Sequence, residues 1–586
     1  MVVRAFTFTL LAAGAACHSP SAPSSAPVPS TAVKVDQVGY LPDETKLAMV
    51  TSDAAPGGFT VRRAGDGSIA FRGALGSAAL DADSGDNIRA ADFSSLRESG
   101  TFYLDVEGVG ASPRFEVSAG AFAAAFRLAL RAYYGQRCGT AVDLGPEFPG
   151  YTHAACHREG TPNPDAAFHP SSGRDGSREA GKGWHDAGDY GKYVVNSGIS
   201  TGELLWTYEW FASRVRDVRL DIPESGDATP DILDEARWNL EWMLAMQDGD
   251  GGVWHKLTSE RFGSFVMPER DDGGPRYVIG TGSPPYKSTC ATADLAAVMA
   301  VAARLYRPFD AGFAGRCLDA ATRGWAWAAA HPSVVFRNCC GVSTGEYGDD
   351  RCDDERLWAA AELFRTTGEA PYQEAFVAGR AAARVSAREY PQDWSSVKNM
   401  ALWAYYFSGQ PAADAAARAL IRADTLAAAD DIASRTEANG YRVSLRSADY
   451  VWGSNGGAAN YGVLMVAANA MQPDRRYGQA ALDDLHYLLG RNTHGLCFVT
   501  RLGTRSPRHP HHRPSGADAQ PEPWPGLLVG GPNRSTRDGS GLDALPASPP
   551  ARRYVDEQAS YASNEVAINW NAPLVFLLAS ALPARE

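Results

Sequence analysis

The sequence predicts a mainly α-helical protein, a closed (α/α)6 barrel of about twelve helices preceded by a small β-sandwich. Three observations carry this reading. Residues 33–118 hold short β-rich runs separated by Gly, Asp and Pro. Residues 119–586 hold Ala-rich stretches with apolar positions at helical spacing and almost no strand-like runs. The chain has 586 residues, 45% apolar and 21% charged, which is long enough for two or more domains and too apolar for disorder.

In chain order, Met-Val-Val-Arg4 precedes an apolar run from Ala5 to Ala16 and then Cys17. That run is too short to span a bilayer and suits the core of a signal peptide over residues 1–17. Gly14-Ala15-Ala16-Cys17 resembles a bacterial lipoprotein cleavage site with Gly14 in the usual Leu position, so two fates stay open, simple secretion or an outer-surface lipoprotein of a bacterium. A membrane partner enters only through a lipid anchor on Cys17, because no later segment is apolar for long enough to cross. Residues 18–32 are a Ser/Pro/Ala linker. The strand-like runs are Lys46–Thr51, Phe59–Arg62, Ile69–Phe71, Thr101–Val106 and Arg114–Val117.

Helical stretches are centred near residues 127, 202, 237, 298, 320, 361, 380, 402, 422, 464, 485 and 573. At the third of these, Thr229-Pro230-Asp231 predicts a capping hydroxyl followed by Pro at the first helical position. A ring of helical hairpins exposes long loops at one end, where a site can be built. The longest run from about 136 to 182, 248 to 287 and 493 to 562.

Net charge is −13, a field that repels nucleic acid and anionic membranes and leaves a neutral or cationic partner. The 14 Trp, 23 Tyr and 22 Phe can fill cores or form flat platforms for a ligand. Nine cysteines are too few to build the scaffold; Cys339, Cys340 and Cys352 lie close enough in sequence for one disulfide, and Cys290, Cys317 and Cys497 read equally as buried thiols.

Two segments carry carboxylates in unusual company. Gly183-Trp-His-Asp186-Ala-Gly-Asp189-Tyr-Gly-Lys-Tyr193 sets two aspartates three apart before a helix, a pattern an ordinary helix cap also produces. Arg553-Tyr-Val-Asp556 through Tyr561, Asn564-Glu565, Trp570-Asn571 and Pro573 sets Glu565 at the head of the last helix, where a first-turn acid is also ordinary. Together the two segments resemble the inverting cellulases of glycoside hydrolase family nine, in the subgroup with an N-terminal immunoglobulin-like module. The resemblance runs from Lys34 to near the C-terminus. A third segment agrees, Phe498 through Gly503 and His511 to Arg513, with Cys497 standing where the family usually has Ser, Thr or Val.

The resemblance implies an endo-β-1,4-glucanase acting on cellulose or a related β-glucan as a monomer, with no organic cofactor. Inversion needs one carboxylic acid to protonate the leaving oxygen and one carboxylate to activate water, roughly 6.5 to 9.5 Å apart. By carry-over Asp189 is the base, Asp186 helps hold the water and Glu565 is the acid, its pKa raised by burial or by a carboxylate such as Asp556. His511 and Arg513 would bond sugar hydroxyls, Tyr450 and Trp452 would line the cleft, and Trp254 and His255 are further stacking or bonding candidates. The alternatives are an exo-acting relative (a cellobiohydrolase or exo-glucosaminidase), a xyloglucan or mixed-linkage glucanase, or a non-catalytic carbohydrate-binding protein, against which retention of Asp186, Asp189 and Glu565 argues.

Cys138, Cys156, His157 and His185 supply two thiolates and two imidazoles, a donor set for structural zinc, while spacing alone leaves a Cys138–Cys156 disulfide open. The resemblance favours zinc. The acidic run before the helix near 361 supplies Asp350, Asp353, Asp354 and Glu355, which the resemblance assigns to calcium and which otherwise read as a solvated helix start. Asp248-Gly-Asp250-Gly-Gly252, a second acidic run, reads as a Gly/Asp turn, with metal binding as the alternative.

Overall fold

The computed structural model describes residues 1, 28–52, 57–164, 167–547 and 549–584; the signal peptide and Cys17 lie outside these. The strands between Val33 and Val117 form two sheets. One orders Val33–Lys34, Leu47–Thr51, Asn87–Asp92 and Ala79–Leu80; the other orders Gly39–Tyr40, Phe115–Val117, Gly100–Val106, Phe59–Arg63 and Ile69–Gly73. Between them lie Ala48, Val50, Val61, Phe93, Phe102, Leu104 and Phe115. Asn87–Asp92 has one β-branched residue, so its sequence carries no strand signal, yet it pairs along the whole of Leu47–Thr51.

Leu47–Thr51 shows why the sandwich stays docked. Side chains alternate across a strand. Ala48 and Val50 point into the sandwich core, while Leu47 and Met49 join the core of the helical domain beside Phe122. Around this apolar seam, Gln37 inserts its amide: Nε2 donates to Gly495 O at 3.0 Å, and Oε1 accepts from Thr504 N and Arg505 N, both at 2.9 Å. Asp36 and Glu44 flank the buried His486 at 2.8 and 3.4 Å.

Each of the twelve predicted stretches corresponds to a helix, and six inner helices alternate with six outer ones. The inner ring is Val194–Val215, Thr289–Leu305, Asp353–Thr367, Lys398–Tyr406, Ser454–Met471 and Ile568–Ala581, the last packing back on the first. Inner helices are covered on all sides, as Thr289–Leu305 shows by burying every residue from Thr289 to Ala303. Small residues recur in such helices because they let neighbours approach closely; a Cβ on Gly202 would meet the Trp358 ring at 2.8 Å. Outer helices keep one wet face, as in Ala415–Ala438, which buries Ala417, Ile421, Thr425, Ala428, Ala429, Ile432, Ala433 and Thr436. Gln392 bridges two inner helices, donating to Asn460 Oδ1 at 2.8 Å and accepting from Asn399 at 3.2 Å.

At the third helix Pro230 is the cap itself and Asp231 the first helical residue, so Thr229, the predicted cap, lies one position outside the observed one. Cys352 pairs with Cys290, tying the start of one inner helix to the head of the next; Cys339 and Cys340 remain thiols. No helix among the described residues is long and apolar enough to cross a membrane.

Candidate active site

Three segments distant in sequence are laced together by backbone hydrogen bonds at one end of the ring. His511 N donates to Asn564 O at 2.8 Å, Arg513 N to Gly188 O at 3.0 Å, and Ile568 N to Asp186 O at 2.9 Å. Gly188 is required here, since a Cβ would lie 2.1 Å from His511 O. The lacing brings Asp186, Asp189 and Glu565 to one cleft of about 390 Å³, walled by Tyr193, Phe262, Tyr347, Trp394, Trp452 and Trp570. Neither aspartate caps the following helix, which starts only at Val194 after a short strand.

The three carboxylates differ in environment. Asp186 is buried, accepting from Asn196 Nδ2 and from the Tyr347 hydroxyl, both at 2.6 Å. Burial pushes it up to about 7, with Asp189 adding, against the pull of those two hydrogen bonds. Glu565 is raised well above the usual carboxylate range by burial first and then by the charges of Asp189 and Asp186. Asp189 is partly exposed in the cleft and accepts from Gly191 N at 3.1 Å.

Other expectations from sequence need correction. Asp556 does not act on Glu565: it accepts from Arg508 N and His509 N at 2.7 and 2.9 Å and from Asn564 at 3.0 Å, clipping one loop to the other. Arg513 commits three of its five side-chain N–H groups to the carbonyls of Gly188, Ser264 and Gly263 at 2.8–3.0 Å, which makes it chiefly a brace for the loops beside Asp189. Tyr450 is 1% exposed, whereas Trp452 is 44% exposed on the cleft wall. Trp254 is wholly buried, its indole donating to Ser172 O at 3.1 Å. His255 is also buried, stacked on Phe336 at 3.9 Å and bonded to Ser288 and to Glu346 O, so it supports the cleft wall from behind. His511 contacts Gln558 O through Nδ1 at 2.7 Å, and burial lowers its pKa, leaving a neutral ring near Asp189.

Trp452→Ala should raise KM for a glucan several-fold with kcat little changed, because a lost stacking face of about 0.5–1.5 kcal/mol weakens substrate and transition state alike. Initial rates across substrate concentration check this; an unchanged KM would remove Trp452 from the binding surface.

Sequence reasoning did not single out Tyr193, Phe262, Tyr347, Trp394 and Trp570 as cleft walls. Trp570 stood in a quoted motif and Tyr347 between Glu346 and Gly348, but Trp394 lies in a stretch with no signal of its own.

Cys138, Cys156, His157 and His185 are buried with their ligand atoms within 4.8 Å of one another, and neither cysteine is in a disulfide. His157 Nδ1 and His185 Nε2 are 3.4 Å apart, and the Cys–His contacts are 3.5 and 3.9 Å. A tetrahedral ion with metal–nitrogen bonds of ~2.1 Å and metal–sulfur bonds of ~2.3 Å implies edges of roughly 3.4 and 3.6 Å. The residues fit such an ion, and Asp271 accepts from His157 Nε2 at 3.2 Å, orienting the imidazole.

The acidic run divides. Asp350 and Asp353 are exposed and paired with Arg337 and Arg351. Asp354 and Glu355 turn inward, joined by Asp294 from the neighbouring inner helix and by Asp349. Both carboxylate oxygens of Glu355 and of Asp294 are buried without a hydrogen-bond partner. Burial and mutual repulsion raise both groups, an arrangement a bound cation would relieve. Cys290 and Cys352 lie beside Glu355, but as a disulfide they offer no thiolate.

Residues 122–578 match the family model for glycosyl hydrolase family 9, and residues 28–111 match the cellulase N-terminal ig-like domain. The chain is 37% identical to endoglucanase D of Acetivibrio thermocellus over 93% of its own length and 83% of that protein's. It is also 37% identical to the xyloglucan-specific endo-beta-1,4-glucanase BoGH9A of Bacteroides ovatus, over 96% of this chain and 95% of the relative. Among solved structures, a Zn-binding triple mutant of the family 9 endoglucanase J30 superposes with a TM-score of 0.85 at 34% identity, covering 93% of this chain and all of that one. With the matching domains, the relatives and the cleft geometry in agreement, the chain belongs to glycosyl hydrolase family 9, the members that carry an N-terminal immunoglobulin-like domain.

Proposed function

We propose that the protein is an exported endo-β-1,4-glucanase that hydrolyses cellulose or a related β-glucan with inversion at the anomeric carbon. The observation that carries this is the convergence of Asp186, Asp189 and Glu565 on one cleft walled by aromatic rings. Flat rings suit the apolar faces of neutral sugars, and an uncharged substrate suits a chain of net charge −13.

In this reading Asp189 takes a proton from water as it attacks C1, and Asp186, fixed by Asn196 and Tyr347, helps hold that water. Glu565 donates its proton to the departing oxygen, and the environment that raises its pKa keeps it protonated near neutral pH. His511, with its ring fixed by Gln558, is the remaining candidate for a sugar hydroxyl next to the reacting bond.

A second reading, xyloglucan as the preferred glucan, is favoured by the match to BoGH9A over nearly the full length of both chains. Proton NMR of cellohexaose and xyloglucan oligosaccharides during hydrolysis tests both points. Inversion predicts that new reducing ends appear first as the α-anomer; first appearance as the β-anomer would overturn it, and the faster substrate decides between the glucans.

Zinc is the ion proposed for Cys138, Cys156, His157 and His185; when bound it would supply a closed cross-link with no open position for water. Calcium is proposed for Asp294, Asp349, Asp354 and Glu355, a set of hard oxygen donors. Residues 1–32 are proposed as the export signal and spacer, residues 33–118 as the immunoglobulin-like brace and 119–586 as the catalytic domain.

A further inference from the structure

We propose that Cys339 and Cys340 form a thiol–disulfide modification site on the cleft wall, closing to a vicinal disulfide on exchange with a small-molecule disulfide. The two sulfurs are 2.9 Å apart, with the Cys340 thiol donating to Cys339. They sit on a tight turn closed by Val342 N donating to Cys339 O at 3.0 Å, with Cys340 and Gly341 both left-handed at φ 60° and 94°. A β-carbon rarely occupies that region, so the turn is held from elsewhere.

The holding groups are visible. Lys256, buried, donates to Asn338 Oδ1 and to Gly345 O, both at 2.7 Å, and Asn338 Nδ2 donates to Thr344 O at 2.8 Å. The base of the turn is thus clamped from both arms while its sulfur-bearing tip faces outward. Gly282 makes the same room from the opposite side, since a Cβ there would lie 2.6 Å from Cys339 Sγ.

Among the described residues the remaining thiols are buried: Cys138 and Cys156 in the four-residue metal cluster, and Cys317 and Cys497 in the core. Burial raises the Cys317 and Cys497 thiols and shuts both from reagents, whereas Cys339, raised to about 11 by burial and by the Cys340 thiol, borders solvent. Cys340 is exposed and Cys339 half-buried, so the order of attack follows from access. The Cys340 thiolate attacks one sulfur of the small disulfide and expels one thiolate. Cys339, having lost its proton, then displaces the second. Two cysteine thiols and one small disulfide become one vicinal disulfide and two small thiols, with both cysteine protons passing to the leaving thiolates.

Reversibility follows from geometry. Adjacent Cα atoms lie ~3.8 Å apart across a trans peptide, below the ~4.4–6.8 Å of ordinary disulfides, so a vicinal bridge is strained and readily reduced. The buried Cys290–Cys352 pair, at a Cα separation of 4.8 Å, falls inside that range. The outgoing arm of the turn continues through Gly345 and Glu346 to Tyr347, all on the cleft wall, with Tyr347 bonded to Asp186. Closing the ring therefore stiffens the segment that leads into the site.

Tryptic peptide 338–351 contains both cysteines and no other, so mass spectrometry reads the site directly. The whole protein, first reduced, is equilibrated with oxidised glutathione, acid-quenched, alkylated with iodoacetamide in denaturant and digested. The proposal expects this peptide two hydrogens lighter and free of alkyl groups after glutathione disulfide, and doubly alkylated after dithiothreitol. Two alkyl groups under both conditions, a cross-link to another cysteine peptide, or glutathione left on Cys340 beside an alkylated Cys339 would each overturn it. In Cys339→Ser the first step should stall as a glutathione adduct on Cys340; an alkylated, adduct-free Cys340 would refute the order of attack.

Discussion

Glu565→Gln is expected to lower kcat on β-1,4-glucan by about 10²–10⁴-fold with the fold intact, and Asp189→Asn by a similar factor. The two variants should part on a substrate whose leaving group departs unaided. With 2,4-dinitrophenyl β-cellobioside, Glu565→Gln should recover most of its turnover because no proton need be supplied, whereas Asp189→Asn, still lacking a base for water, should not. Recovery of both, or near-normal turnover of either on the natural substrate, would overturn the assigned roles.

The pH dependence follows the same charges. Glu565 must be protonated to act, so the alkaline limb of kcat reports its titration in the complex. Burial, Asp189 and Asp186 hold that titration high. Replacing Asp189 by Asn removes one negative neighbour, so the alkaline limb of the residual activity should move to lower pH. Stability has the matching sign: a carboxyl whose folded pKa is raised favours the folded state at low pH, and that contribution is lost as pH rises through the folded value. Glu565→Gln should therefore be no less stable than the parent at alkaline pH, as thermal melts would show.

The second large effect concerns the cluster behind Asp186. Cys156→Ser should cost on the order of 5 kcal/mol, because it removes a ligand from the proposed zinc set, whose buried donors are assembled only in the folded chain. His185, a member of that set, directly precedes Asp186, so activity should fall together with Tm. Elemental analysis should return one zinc per parent chain and less than one per variant. A parent that carries no zinc and melts unchanged in a strong zinc chelator would remove the ion from the argument. A calcium-selective chelator should leave this zinc in place and lower Tm through the separate carboxylate set, an effect that Glu355→Gln should abolish.

What could be read before folding was what is local. Apolar spacing placed all twelve ring helices because an amphipathic or small-residue stretch declares its own conformation. Asp186, Asp189 and Glu565 were legible because each stands in a short run that resembles a motif of the family, and a motif is contiguous along the chain. Asn87–Asp92 was not, since its strand exists only through pairing with Leu47–Thr51.

The tertiary structure decided which of two plausible residues a site uses. Tyr450 and Trp452 are two apart, yet the first ring is buried and the second stands on the cleft wall. Trp254 and His255 carry the right chemistry, yet Ser172 and Glu346, brought in from other segments, had already engaged their polar atoms. Asp294 joined Glu355 from another helix, and Glu565 draws its raised pKa from burial first and then from Asp189 and Asp186, while Asp556, nearer in sequence, is bonded to Arg508, His509 and Asn564. The sequence alone determined the residue types and the helices, because these follow from spacing along the chain, and its motifs carried the family resemblance that singled out Asp186, Asp189 and Glu565. Burial, charge neighbours and committed hydrogen bonds were decided only by folding, because each depends on atoms that distant segments bring within a few ångströms.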